Sequence, residues 1–522
     1  RSIRQRRSSM WLAGTSGVDE VRAEAASTAV LDEAGEPRAK IIVTFLIALG
    51  ATAFSPLLHV ASPMLAIVVE TMIAVAIAIV MPAQGPVIAI FLMMFQNVFV
   101  SLFSPLVTEP SELEFLKGYN FLICAVMWLV ALARAAVSRR SPALNRMLLA
   151  STAVLAVMGV YFVIGLSREP KAAAIYLRNI ALPLLLFQLA LLAAANYRLR
   201  VTPYVVVIAV LVLLCGVVEF AFRDAWFDLT NGHAYWRLQE IKATNTGVWE
   251  REMRTTGKVI VGITDVFVVD FFNTSLLKDL GLGQMLRLYG PNISPVSFAY
   301  GVGFFALFLL AVGRGVLGGL ALVLMMLCGV KGAAIMVLFV GAAWIGTVLI
   351  GPVLVLLGAV VVLAVYAAFV IHTGLQLGDY HVIGLMGGWN GFLHAPLGRG
   401  LGLGGNLTEG FAGIDWQAAQ QAGAVEGAAE SSVGVLLYQM GVAALVPLGF
   451  YATVAWWCWR LYARSGILLL GMASFGVLIV LTNGLFQEEA LFAPPAMGFM
   501  MLLAGLLLGS QIRQGQLAHR LS

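Results

Sequence analysis

The residues with the means to do chemistry in this chain are a handful of cations set where cations are unexpected. Arg178 lies inside an apolar run (AAIYLRNIALPLLLF) and Arg287 stands just ahead of another (LRLYGPNISPVSFAY). Lys331 sits in a tight turn between two apolar stretches (CGVKGAAI). A guanidinium offers paired donors that match phosphate oxygens, whereas an ammonium offers a point charge. For any Lys or Arg within a turn of a helix end, the plain alternative is a side chain that snorkels to the lipid phosphates. Arg178, two turns inside its run, fits that alternative poorly, because an intramembrane charge faces the bundle interior or a wet cavity. Several such cations meeting at one depth would form a site for an anion held at the membrane, such as the phosphate or diphosphate of a lipid-linked molecule.

Other chemistries find little support. The signatures GxxxxGK[ST], HExxH and GxSxG do not occur. The two aspartates of FRDAWFD (222–228) have a spacing we read as chance, and no metal-ligand spacing of the CxxC kind occurs. Cys124, Cys215, Cys328 and Cys458 fall in or beside apolar runs and read as buried, reduced thiols. His233, His372 and His381 read as solvated or capping residues of loops rather than ligands.

The frame that must position the cations follows from composition. Of 522 residues 60% are hydrophobic and only 11% charged, whereas a soluble domain carries about a quarter charged residues. The expected fold is an all-α polytopic integral membrane protein with about 14 transmembrane helices. Residues 40–222 hold about seven spans, 295–371 spans eight to eleven, and 432–511 spans twelve to fourteen. Residues 1–39 read as a disordered tail and 512–522 as a second tail. Arginines concentrate in RAAVSRRSPALNR (134–146) and WRLYARSG (459–466), while TEPSELEFLKG (108–118) and FQEEALFAPP (486–495) are acidic or mixed. That alternation puts both termini on the cytoplasmic side and both long connections, 223–294 and 372–431, on the outer side. The net charge of +5 is therefore a matter of topology, not a sign of nucleic acid. Within the first connection, KVIVGITDVFVVDFF (258–272) is too short to span and reads as an interfacial or re-entrant piece.

The second connection opens with GGWNGFLHAPLGRGLGLGGN (387–406). It follows no strand and lacks the Lys-Ser/Thr of a nucleotide phosphate loop, so it reads as a close-packed turn that places a lid over the bundle. Pro396 fixes the chain there, and His394 reads as a capping residue. Arg399 and His394 are its candidate contacts to a diphosphate or glycan.

Four stretches, taken in order, resemble the bacterial O-antigen polymerase and O-antigen ligase superfamily. RLYGPNISPVSFAYGVGF is similar to that family's Arg–Gly–aromatic–Pro–Asn approach to a span after a long periplasmic loop. LCGVKGAAIMVL resembles its Ser-Arg-Gly turn, with Lys331 where Arg is usual. WNGFLHAPLGRGLGLGG is similar to its Trp…His-Pro…Gly segment, and AESSVGVLLYQMGVAAL to its His-Asn…Leu…Gly stretch, with Glu430 and Ser431 in the His-Asn positions. Together these cover about residues 287 to 445, a third of the chain, and the preceding half matches only as apolar spans.

The resemblance implies a metal-independent, cofactor-free glycosyltransferase of the bacterial inner membrane, acting on the periplasmic face. Its donor would be an oligosaccharide on undecaprenyl diphosphate. The replacement of the family's ligase histidine by Glu430 leans toward a polymerase of O-antigen, capsule or exopolysaccharide. In that expectation Arg287, Arg178 and Lys331 hold the diphosphate and Glu430 takes the acceptor's proton. For Glu430 the plain alternative is a carboxylate favoured by a helix N-terminus. The acceptor would be the next lipid-linked repeat unit, with membrane lipids, a flippase and a chain-length regulator as partners. The alternatives are an O-antigen ligase passing the glycan to lipid A-core, and a lipid-linked oligosaccharide transporter or flippase, for which the paired, interrupted halves are not visible.

Overall fold

The computed structural model describes residues 36–138, 140–245, 268–270, 284–408, 411 and 414–515. Helices α1 (Arg38–Ala61), α2 (Pro63–Val80) and α3 (Gly85–Leu102) come first. They are followed by α4 (Pro110–Leu116), α5 (Tyr119–Val137), α6 (Pro142–Leu166), α7 (Pro170–Asn196) and α8 (Thr202–Ala221). Two short helices, α9 (Arg223–Leu229) and α10 (Gly232–Asn245), open the first long connection. The second half has α11 (Pro295–Ala311), α12 (Gly315–Met326), α13 (Lys331–Ile350), α14 (Pro352–Leu377), α15 (Tyr380–His394) and α16 (Trp416–Ala422). It closes with α17 (Ser432–Met440), α18 (Leu445–Ser465), α19 (Leu468–Asn483), α20 (Glu488–Phe492) and α21 (Phe499–Arg513).

Among the described residues, 11 helices are long and apolar enough to cross a membrane, and α11, α12 and α19 are shorter apolar helices. The protein is therefore a multi-pass all-α membrane protein. Each apolar stretch expected from the sequence is helical. Local chemistry explains several of the starts. Ser62, Ser141 and Ser294 each precede a proline, and each hydroxyl accepts from the backbone three residues on. Serine satisfies an orphan N–H there, and the proline gives up none that the helix needs.

The centre of the bundle is α21 packed along α7. Gly505 and Gly509 lie one turn apart, and a Cβ on either would strike the α7 backbone at Phe187 or Leu191. Ala190 and Ala194 face them from the other side. Small residues on both helices let the backbones approach closely, which is how helices gain van der Waals contact where lipid is as apolar as leucine. At the periphery, α14 presents most of its apolar surface outward.

The long connections depart from expectation in their content. The second is not a continuous loop: α14 runs on to Leu377, and α15 follows after a left-handed Gly378 and an Asp379 N-cap. Of the segment 258–272 only Val268–Asp270 is described, as a strand antiparallel to Gln284–Leu286. The remainder of that segment, and the tails 1–35 and 516–522, lie outside the described residues.

Candidate functional site

The RLYGPN segment is pinned from two sides. Buried Glu219, near the end of α8, accepts from the backbone N–H of Tyr289 (3.0 Å) and of Gly290 (2.6 Å). Arg223, 3.6 Å from that carboxylate, donates to the Arg287 carbonyl at 2.6 Å. Asn292 donates to the Met93 carbonyl, and Asn97 donates to that of Asn292. So anchored, Arg287 donates through Nε to the Cys328 carbonyl (3.1 Å), at the turn that ends in Lys331. Only Gly329 and Val330 separate Cys328 from Lys331, so the backbone of Lys331 lies within roughly 10 Å of the carbonyl that Arg287 bonds. No carboxylate lies within ion-pair distance of either cation among the described residues.

Beneath Lys331 a polar hub joins four helices. Asn483 donates to the Gly332 carbonyl (2.9 Å) and to the Tyr300 hydroxyl (3.2 Å), and Tyr300 donates to Gln487 (3.0 Å). Ser432 donates to the Gly484 and Gln487 carbonyls at 2.9 and 3.2 Å. This hub fixes the start of α17 against the turn between α19 and α20, and so places Glu430 and Glu488 near one another.

Glu430 is held in the left-handed region at φ 57°, where a non-glycine residue is strained. Its N–H donates to Asn406 Oδ1 (2.9 Å), and its Oε1 accepts from Asn406 Nδ2 (3.1 Å). The cap of α17 is Ser431, whose hydroxyl accepts from Gly434. The Glu430 carboxylate is thus free of the capping role and turns instead toward His381, whose Nδ1 lies 3.6 Å from Oε2. Asn406 also donates from its backbone to Glu488 Oε2 (3.2 Å), and Tyr176 donates to Glu488 Oε1 (2.8 Å). Two carboxyls, one imidazole, one phenol and one amide therefore form a connected cluster.

Electrostatics follow from that crowding. Burial, then the neighbouring Glu489 and Glu488, push the Glu430 carboxyl up to about 8, against the Asn406 bond that lowers it. Burial pushes Glu488 up to about 7 despite the Tyr176 hydroxyl. His381 moves down, chiefly through burial, with Lys331 adding a lowering influence. A carboxyl poised near 8 beside a neutral imidazole is a stronger base than an ordinary glutamate once ionised.

The glycine-rich stretch is the floor of this cluster. Gly405 has φ +96°, and any Cβ there would collide with the Tyr176 hydroxyl. Its N–H donates to the Ala428 carbonyl at 2.6 Å, which ties the stretch to the segment leading into Glu430. A cleft of about 650 Å³ opens above Gly402–Gly405, bordered by Glu169, Asp415, Glu426 and Tyr438. That volume falls in the range of small-molecule sites, about 300–1,000 Å³.

Of the residues selected from the sequence, Lys331 is linked to Glu430 through His381, on which it acts, and Arg287 bonds the turn that ends in Lys331. Arg178 does not join them. Tyr176 faces Glu488, and two residues along a helix is a rotation of about 200°, so Arg178 faces away toward α2, α4 and α5. Arg399 is engaged elsewhere, stacked 4.1 Å from the Tyr438 ring and donating to the Gly391 carbonyl at 2.9 Å. His394 is exposed at the end of α15 and bonds the Asn390 carbonyl at 2.8 Å. His381, Asn406, Glu488 and Tyr176 escaped the sequence reading. The one signal available was the doubled acid of FQEEALFAPP, which had been read only as topology.

Searches against family models, curated proteins and solved structures find no match to this chain.

Proposed function

We propose that the protein is a polysaccharide polymerase that transfers a growing glycan from undecaprenyl diphosphate to the next lipid-linked repeat unit. The observation that carries this reading is a strained, high-pKa Glu430 beside His381, which also feels Lys331, with Arg287 bonded to the turn that ends in Lys331 and a sugar-sized cleft lined by Gly405 and Ala428. Glu430 takes the proton of the acceptor hydroxyl as its oxygen attacks the anomeric carbon of the donor. The anomeric C–O bond to the diphosphate breaks, and the leaving diphosphate takes the electron pair. Arg287 and Lys331 stabilise the charge that develops on it. Asn406 orients Glu430 and links it to Glu488.

In this reading the three shorter apolar helices complete fourteen crossings of a bacterial inner membrane. The long connections and the cluster then lie on the periplasmic side, both termini on the cytoplasmic side. A second reading, the O-antigen ligase, is favoured by His381, because a histidine 3.6 Å from Glu430 supplies a base of the kind that ligases of the resembled family use. Deletion of the gene separates the two. A polymerase mutant accumulates glycolipid bearing a single repeat, whereas a ligase mutant leaves lipid A-core uncapped and polymer retained on its lipid carrier.

A further inference from the structure

Arg178, turned away from the carboxylate cluster, sits in a place of its own. Lys171, Ala174, Ile175 and Arg178 follow the i, i+3, i+4, i+7 spacing and form one stripe along α7. They line a groove of about 460 Å³ whose opposite wall is apolar, from Ile67, Phe115 and Leu122. Arg178 lies roughly 12 Å below the start of the helix, and Lys171 stands exposed near its mouth. Among the described residues Arg178 makes one side-chain hydrogen bond, from Nε to Asn179 (3.0 Å), and no carboxylate lies within ion-pair distance of Arg178 or Lys171. Glu114, which also lines the groove, lies 3.2 Å from Lys117 and acts on Arg178 from beyond ion-pair distance.

A cation held at that depth without an ion-pair partner calls for an anion, and the apolar wall calls for a hydrocarbon body. Together they describe a lipid with a phosphate headgroup. Two residues before Lys171, Glu169 caps α7 and borders the cleft above Gly402–Gly405, so residues of groove and cleft stand side by side where α7 begins. The cleft is rimmed by carboxylates (Glu169, Asp415, Glu426), which repel further phosphate but accept hydrogen bonds from sugar hydroxyls. A headgroup that continues into such a cleft carries a glycan, which an ordinary phospholipid does not.

We infer that this groove holds the polyprenyl diphosphate of the acceptor substrate, separate from the donor's diphosphate at Arg287 and Lys331. The lipid tail lies against Ile67, Phe115 and Ile175, the diphosphate is bracketed by Lys171 and Arg178, and the repeat unit reaches over Glu169 toward Glu430. The inference rests on the polymerase reading, which requires two lipid-linked substrates at once.

The test counts undecaprenyl diphosphate bound to the purified full-length protein in phosphatidylcholine nanodiscs by native mass spectrometry. The wild type should bind two copies. Arg178→Gln, and independently Ile175→Trp, which fills the groove without touching charge, should weaken one copy about tenfold or more and leave the other. Lys331→Gln with Arg287→Gln should remove the copy that remains. Two copies retained at wild-type affinity in both groove variants would overturn the inference alone. Displacement of the groove copy by equimolar phosphatidylglycerol would also overturn it, marking a general phospholipid site. A wild type that binds no copy would bring down the polymerase reading, and this inference with it.

Discussion

Replacing Glu430 by Gln removes its charge and basicity while keeping its shape. The backbone bond to Asn406 is untouched, and the bond from Asn406 Nδ2 still finds a carbonyl oxygen at Oε1. With its carboxyl near 8, roughly one wild-type molecule in ten is ionised at this position at pH 7. The rate of transfer should therefore climb through pH 7 and 8 and level off above. A positioned base contributes about 100- to 10,000-fold, so Glu430→Gln should lose at least about 100-fold and lose the rising limb. Stability moves the other way. A carboxyl raised from 4.5 to about 8 stabilises the fold fully only below its ordinary value, and that contribution is lost as pH climbs to 8. The whole shift corresponds to about 5 kcal/mol, and because Glu488 shares in the titration we expect about 2 kcal/mol from this residue. Glu430→Gln, locked in the proton-bearing form, should then melt a few degrees higher than wild type at pH 9 and equally at about pH 4. The assays are polymer formation against pH and thermal unfolding at both pH values. Activity within threefold of wild type, with the same pH limb, would refute the base assignment.

Other consequences follow from the packing and the cations. Gly405→Ala should abolish activity and destabilise the protein by more than about 2 kcal/mol, because the methyl group meets the Tyr176 hydroxyl on backbone that disfavours alanine. Gel filtration and unfolding would check it. Arg287→Ala with Lys331→Ala should leave folding intact and raise the KM for the lipid-linked donor about tenfold or more, read by initial rates against donor concentration. Gly505→Leu should separate α21 from α7 and cost about 3 kcal/mol or more, seen as loss of monodisperse protein in detergent.

The helices were legible because each depends on signals close in sequence. Runs of apolar residues set their lengths, and Ser-Pro pairs at 62–63, 141–142 and 294–295 mark three of their starts. The side chains that meet at Glu430 depend instead on contacts across 24 to 312 residues of sequence, such as Asn406 with Glu430 and Tyr176 with Glu488. No periodicity records those. Arg178 shows the limit most clearly. Charge placement assigns a residue to one side of a membrane but says nothing of its direction around the helix axis, and it was direction that separated Arg178 from Lys331. His381 was hidden for another reason. The second connection lacks a span's apolar length and so reads as loop, yet that segment forms α15, whose Gly384 lies against the Ala429 carbonyl and brings His381 to Glu430.

The central claim is that this protein joins lipid-linked repeat units. Purified protein in liposomes, given undecaprenyl-diphosphate-linked repeat unit from the source organism and no other protein, tests it most directly. The account predicts a ladder of products growing by one repeat, with release of undecaprenyl diphosphate and loss of both under Glu430→Gln. Substrate that remains a single repeat, in the presence of folded wild-type protein, would contradict it.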